Sequence, residues 1–178
     1  MIALLRFVHG IASRARAVFY RVLGVKIDGA CWLRAIEIPR GHREIRLADG
    51  VALDRGVVLL ISGAARDAEK IVIGRTAYIN RATMIDASER IEIGANAMIG
   101  PFCYITDHDH VIGSADELVS KPTRIGERCW LGAHVTVLKG VTIGDDTVVG
   151  AGSVVTKSLP ARVVAVGNPA RVLREIAP

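Results

Sequence analysis

The sequence predicts an all-β solenoid wound from triangular coils, and three observations carry that expectation. Aliphatic residues recur every six positions: Ile73, Ile79 and Ile85, then Ile93, Ile99 and Ile105, then Ile125, Leu131, Val137, Ile143, Val149 and Val155. A small residue stands four positions after most of them, as at Ala77, Ala97, Cys103, Cys129, Thr147 and Ser153, and Gly directly follows many, as at Gly74, Gly94, Gly126 and Gly144. The composition is 51% apolar but only 4% aromatic, which suits a narrow interior of Ile and Val. A fixed period signals a stacked architecture, and six fits neither the three-and-four spacing of a helix nor the alternation of a plain strand. Six residues form one side of a coil and three sides close it. The aliphatic residue points inward, the small residue lies near a corner, and Gly is expected to relieve a turn that needs positive φ. Each coil buries its inner face only against its neighbours.

The 178 residues make one domain with an appendage. Residues 1–24 form the appendage. Ile2, Leu5, Val8, Ala12, Ala15, Phe19 and Val22 recur at helical spacing, with Arg6, Arg14, Arg16 and Arg21 interleaved. The run is too short and too charged to span a bilayer, and basic residues run through it without a clean cleavage site, unlike a signal peptide. Two readings stay open: a helix packed on the solenoid or on a neighbouring copy, and an interfacial helix at the inner face of the cytoplasmic membrane. The net charge of +5 resides in this end, because the first 26 residues hold five basic residues and no acid. A basic patch confined to one terminus argues against a nucleic-acid-binding solenoid.

Residues 25–162 are the solenoid. Ile27 and Leu33, and Leu47, Leu53 and Leu59, read as degenerate first coils, with loops near Pro39–Gly41 and Ser62–Lys70. The repeat is clean from Ile73 apart from a two-residue slip before Ile93 and a larger excursion over residues 107–123. A loop thrown out of a rigid scaffold, carrying two His and several acids, is where function is expected. Residues 163–178 form a cap: Gly167-Asn168-Pro169 is a turn, and Ala170 to Ile176 is expected to be a short C-terminal helix. The three cysteines form neither a disulfide framework nor a zinc pattern. Cys103 and Cys129 occupy small-residue slots, so buried packing in a reducing, cytoplasmic setting is their expected role.

His108 lies where the chain leaves the coil, and a His there can act as a general base, which an alcohol needs before it can attack a thioester; the other reading is a surface His in a solvated acidic loop. The run Asp107-His108-Asp109-His110 also raises a zinc site, but no further cluster completes it, so no metal is expected. Asn80 replaces the Gly or Ala of other repeats, either as a turn residue or as an amide aimed at a ligand. Asp86 holds the same position one side later. No Gly-rich phosphate loop precedes a helix, so neither a Rossmann nor a Walker site is indicated.

The repeat, the run Tyr104-Ile105-Thr106-Asp107-His108 and the stretch Cys129–Val137 (CWLGAHVTV) resemble the hexapeptide-repeat acyltransferases, in particular the sugar O-acetyltransferases, over roughly the last two-thirds of the chain. The resemblance implies a left-handed parallel β-helix, an exception to the right-handed rule for parallel crossovers. It implies a homotrimer with active sites between subunits, His108 as base and Asn80 from the neighbour. Asp86, His110 and Trp130 become candidates for acceptor binding. Acetyl-CoA or another short acyl-CoA would lie along Trp130, Gly132, Ala133, Gly150 and Ala151, with Thr156, Lys157, Arg171 and Arg174 toward its phosphates. His134 falls outside the base motif and is expected at an exposed corner. The implied activity is acetyl transfer to a sugar hydroxyl in surface-polysaccharide assembly, the acceptor being a sugar, a sugar nucleotide or a lipid-linked glycan. The rivals are an amino-sugar N-acetyltransferase, a xenobiotic or serine acetyltransferase, and a catalytically silent scaffold. Gamma-type carbonic anhydrase shares the fold but needs a His set that His108, His110 and His134 do not suggest.

Overall fold

The six-residue period becomes three parallel sheets around one apolar interior. Ile73, Ile93, Ile125 and Ile143 stand in register on the first sheet. Ile79, Ile99, Leu131 and Val149 do so on the second, and Ile85, Ile105, Val137 and Val155 on the third. None of these side chains is more than 2% exposed. The computed structural model describes residues 2–114 and 117–177, with side chains from residue 10 onward, so the predicted contributions of Ile2, Leu5, Arg6 and Val8 lie outside the described side chains. The first sheet has six strands, from Lys26–Ile27 to Thr142–Ile143, the second eight, from Trp32–Leu33 to Arg171–Glu175, and the third five, from Val58–Ile61 to Val154–Val155. The degenerate coils belong to the same stack: Ile27 pairs with Leu47, Leu33 with Leu53 and Leu59 with Ile85. The fold class is the left-handed parallel β-helix.

The glycines do a different job from the one the spacing suggests. Positive φ falls two residues later, on Thr76, Asn96, Phe102, Arg128, His134 and Asp146, with angles between 54° and 59°. Left-handed backbone costs a non-Gly residue roughly 1–2 kcal/mol, and the stacked coils impose it. Gly94 instead permits close approach, because a Cβ there would sit 2.5 Å from the backbone of Gly126 and Glu127 in the next coil. The interior slots behave as expected. Cys103 and Cys129 are buried, their Sγ atoms lie 3.2 and 3.1 Å from the carbonyl oxygens of Gly132 and Gly144, and burial pushes both thiols up from their ordinary range.

The helix Ile2–Leu23 covers the N-terminal end of the stack. Ser13 Oγ accepts the Leu33 amide at 2.7 Å, Tyr20 Oη donates to Ile36 O at 3.0 Å, and Arg16 donates to Leu33 O at 3.1 Å. The helix ends because Gly24, at φ 110°, donates to Arg21 O while Val25 donates to Tyr20 O, the paired bonds of a Schellman cap. Its outer side leaves Val18, Phe19, Val22 and Leu23 exposed. No helix among the described residues is long and apolar enough to cross a membrane.

Two predicted elements differ. The excursion is an antiparallel hairpin, His108–His110 against Leu118–Ser120, and Thr123 already pairs with Ile91 in the first sheet. The expected C-terminal helix is a strand, Arg171–Glu175, antiparallel to Val163–Val166. The latter strand extends the second sheet, so the tail finds backbone partners on an open edge that a helix of two turns would leave unpaired.

Lys70 and Glu44 form a buried ion pair, Nζ to Oε2 3.1 Å, with Lys70 at 0% and Glu44 at 6% exposure. Lys70 also donates to the carbonyls of Ser62 and Ala64, and Glu44 accepts the Arg66 amide, so the pair ties down the loop between Ser62 and Lys70. Lys70→Ala should lower the free energy of unfolding by about 3–5 kcal/mol, since it strands a buried carboxylate. The double replacement Lys70→Met with Glu44→Leu should cost much less. Denaturant titration of the three proteins checks this; a Lys70→Ala loss below about 1 kcal/mol would contradict it.

Candidate active site

The corner between the third and first sheets is where the coil opens to release the hairpin. The strand Tyr104–Thr106 delivers Asp107 and His108 to this point, and the strand Met84–Ala87 delivers Asp86 one coil earlier, with Thr106 paired to Asp86. Asp107 is fully buried. Its Oδ1 accepts the Ser88 amide at 2.7 Å and its Oδ2 the amides of Glu89 and Arg90 at 2.8 and 2.5 Å. His108 Nδ1 lies 3.1 Å from Asp107 Oδ1 and 3.3 Å from Thr106 Oγ1. The ring is 7% exposed.

A carboxylate held by three amides accepts from the imidazole, so Nδ1 carries a proton, and in the neutral ring the lone pair is on Nε2. Nε2 faces Asp86 Oδ2 at 3.8 Å, beyond hydrogen-bond range. Asp86 is 8% exposed, and its Oδ1 accepts from Ser62 Oγ at 2.6 Å. The Tyr104 hydroxyl is pushed up from its usual range, first by burial and also by the neighbouring charge of Asp86, so it stays a donor. A proton-accepting nitrogen, a second carboxylate and a phenol therefore meet at one corner.

The surroundings hold this arrangement in place. Lys121 N donates to Asp107 O at 2.8 Å and Thr123 Oγ1 donates to Thr106 O at 2.9 Å, fixing both ends of the hairpin. Lys139 forms an ion pair with Asp109. The loop anchored by Lys70 meets the hairpin at Gly63, where an added Cβ would lie 2.6 Å from Ser88 Oγ and 3.9 Å from Leu118. No group of three or more His, Cys, Asp or Glu among the described residues is arranged to hold a metal. Asp107 and Asp109, the acids of the zinc hypothesis, are bound to amides and to Lys139.

The structure brings His108 and Asp86 together and leaves other candidates apart. His110 is exposed, its ring centroid 6.5 Å from that of His108 in an edge arrangement. Asn80 lies at the opposite end of the third sheet, at the corner that leads into it. Its Oδ1 accepts the Arg81 amide at 2.8 Å, the turn role. Trp130 is 52% exposed on the second sheet, in register with Met98 and Val148. Gly132, Ala133, Gly150 and Ala151 occupy the Asn80 corner in later coils; a Cβ on Gly132 would lie 2.6 Å from Ala151 N, so coil stacking already requires that glycine. Thr156 and Lys157 are exposed where the third sheet ends, in the corner column of His108, and Arg171 and Arg174 are exposed on the last strand. His134 is the exposed corner residue expected, stacked on Phe102 at 5.0 Å.

Sequence reasoning missed Asp107 as a partner of His108, and missed Ser62 and Tyr104. The available signal for Asp107 was its place at the end of a third-sheet side, immediately before the His, where a charge needs an internal partner.

The family described as bacterial transferase hexapeptide (six repeats) matches residues 122–157. The galactoside O-acetyltransferase of Escherichia coli K12 is 44% identical over 110 residues, 60% of this chain and 54% of that protein; the match thus spans about half of that relative's length. A protein of the same organism named as the colanic acid biosynthesis acetyltransferase WcaF is 41% identical over 128 residues, 71% of this chain and 70% of its own. Among solved structures, a galactoside acetyltransferase in complex with coenzyme A superposes with a TM-score of 0.58 at 36% identity, covering 68% of this chain and 66% of that one.

Proposed function

The chain belongs to the bacterial hexapeptide-repeat transferases, and from that premise we propose that it is an acetyl-CoA-dependent O-acetyltransferase acting on a sugar hydroxyl in the assembly of a surface polysaccharide. The observation that carries the mechanism is the buried Asp107–His108 pair, 3.1 Å between Oδ1 and Nδ1, with Nε2 facing Asp86 Oδ2 at 3.8 Å. The named activities of the galactoside and WcaF relatives support acetyl as the acyl group and a sugar as acceptor.

In this reading His108 Nε2 takes the acceptor's hydroxyl proton as the oxygen attacks the thioester carbonyl. The tetrahedral intermediate collapses with cleavage of the C–S bond. The departing CoA sulfur receives the proton back from the imidazolium, so the products are the acetyl ester and free CoA, with no acyl-enzyme. Asp107 is the positioning residue: it fixes the ring and stabilises the imidazolium. Asp86, braced by Ser62, receives a second hydroxyl of the sugar. The Asn80 amide of a neighbouring protomer serves the oxyanion. The coenzyme lies along the corner of Gly132, Ala133, Gly150 and Ala151 beside Trp130, with its phosphates toward Thr156, Lys157, Arg171 and Arg174.

This division of the site requires a second copy. Tyr78, Met98 and Trp130 stack in register on the outer side of the second sheet, with Met98 51% and Trp130 52% exposed. A homotrimer covers this flat apolar face and sets the Asn80 corner of one protomer against the His108 corner of the next. The exposed Val18, Phe19 and Val22, flanked by Arg14 and Arg21, support peripheral contact of the helix with an anionic membrane at the cytoplasmic face.

Three outcomes test the reading. In a free-thiol assay with acetyl-CoA and a panel of glycans, His108→Ala should cut kcat by about 10²-fold or more, and Asp107→Asn should lower kcat with KM for acetyl-CoA little changed. Undiminished turnover in His108→Ala would remove the base. Sedimentation equilibrium should give three times the protomer mass, and Trp130→Glu should give monomers that lose activity; an active monomer would overturn the shared site. The full chain should float with vesicles containing anionic lipid, and a chain lacking residues 1–24 should not. Equal flotation of both would end the membrane reading.

A further inference from the structure

The corner that carries Asn80 changes character along the solenoid axis. Backbone bonds define one column of equivalent positions: Gly56 N donates to Ala35 O, Ala82 N to Arg55 O, Phe102 N to Arg81 O and Gly152 N to Ala133 O, all at 2.8–3.0 Å. Reading toward the N-terminal helix, the side chains run from Ala151, Ala133 and Pro101 to Arg81 and Arg55. Successive coils are about 4.8 Å apart, so Arg81 and Arg55 stand one above the other as exposed like charges. Beyond them, Arg34 and Arg16 join Arg55 around a cleft of about 240 Å³ whose remaining lining is Ala12 and Ala35.

Few acids answer this charge. Asp54 pairs with Arg34 at 3.2 Å, but its carboxylate also accepts the Arg55 amide at 2.7 Å and the Tyr78 hydroxyl at 3.1 Å. Glu37 lies near Arg16, where both act on the Tyr20 hydroxyl. No ion pair involves Arg16, Arg55 or Arg81 among the described residues. Arg46 pairs with Asp28, Arg90 with Glu92 and Arg128 with Asp146; what sets Arg55 and Arg81 apart is that they stand one above the other in a single column. Stacked guanidinium groups repel unless an anion lies between them, and their fork geometry suits phosphate oxygens.

We infer that this arginine ladder, from Arg81 past Arg55 to Arg34, binds a diphosphate, the handle by which the acceptor sugar is carried to the active site. The inference deepens the sugar-acetyltransferase reading and rests on it for the identity of the attached group. The order along the groove is consistent: small residues where the coenzyme arm lies, Asn80 at the reacting end of the acceptor, and cations one and two coils further on. Both a nucleoside diphosphate and an isoprenoid diphosphate present this chemistry. The cleft opens beneath the N-terminal helix, so either tail has room to leave the groove.

The test is direct binding by the full-length protein, followed calorimetrically at low salt with inorganic pyrophosphate as probe. Arg55→Ala with Arg81→Ala should weaken pyrophosphate binding by about tenfold or more, while acetyl-CoA binding stays within about twofold. Both side chains are exposed at a corner, so the fold should persist, which circular dichroism checks. No pyrophosphate binding by the wild type, or unchanged binding by the double variant, overturns the inference. Equal loss of acetyl-CoA binding also overturns it, by assigning the ladder to the coenzyme's own phosphates. UDP and micellar farnesyl diphosphate as second probes then identify the tail: tighter binding of one than of pyrophosphate, lost with the arginines, supports the ladder and names its source. Efficient acetylation of unphosphorylated glycans that is indifferent to Arg55 and Arg81 would remove the ladder while leaving acetyl transfer intact. Absence of any transfer, with pyrophosphate binding intact, would do the reverse.

Discussion

The structure depends on backbone passing close to backbone at each corner. A coil of three short sides has little interior of its own, and every inward Ile or Val is covered only because the coils above and below are in register. Register in turn requires the corners to stack almost without side chains between them. The glycines after the inward residues provide that, and the non-Gly residues two positions later absorb the left-handed conformation that the bend demands. In the turns that begin at Gly74, Gly94, Gly100, Gly126, Gly132 and Gly144, strain and close approach are thus assigned to different residues. The resulting prism is stiff, and stiffness is what a site built from separate coils needs.

The corner of Asp107 and His108 follows from an interruption of that stack. Where the chain leaves the solenoid after Thr106, the corner bonds that a next residue would make are lost. The Asp107 carboxylate takes their place by accepting three amides from the preceding coil. One side chain therefore seals the gap and fixes the His108 ring. This economy explains why a buried acid is tolerated there: its desolvation is offset by amides that would otherwise lack partners. The Lys70–Glu44 pair plays the corresponding part for the other protruding loop, and the two loops meet at Gly63 and Leu118.

Much of this was legible in the sequence, because the period is a property of the chain itself. The twelve inward positions, the degenerate first coils and the excursion at Asp107 were readable from spacing, whereas His108 was singled out by the family resemblance together with its place at the start of that excursion. The C-terminal strand was not. Residues 170–176 have the length and charge of a short helix, and only the open edge left by Val163–Val166 decides for a strand. The role of the glycines was not readable either, since close approach and positive φ select the same residue and only coordinates separate them. Asp107 was hidden for a related reason: in the run Asp-His-Asp-His the two acids look alike, yet one is fully buried against amides and the other pairs with an exposed lysine.

The same contrast bears on specificity. In the proposed mechanism the His108 corner supplies groups that any hydroxyl acceptor needs: a base, its positioning carboxylate and a hydrogen-bonding acid. Nothing in that set distinguishes one glycan from another. In that reading discrimination comes from the rest of the groove, where the column beside Asn80 is neutral at Ala151, Ala133 and Pro101 and cationic at Arg81 and Arg55. A prism with repeating corners offers a graded rail of this kind without altering the core, because corner side chains such as Arg55 and Arg81 are exposed. Selectivity can then change by exchange of corner residues while the stack, and the geometry of Asp107 and His108 with it, stays fixed.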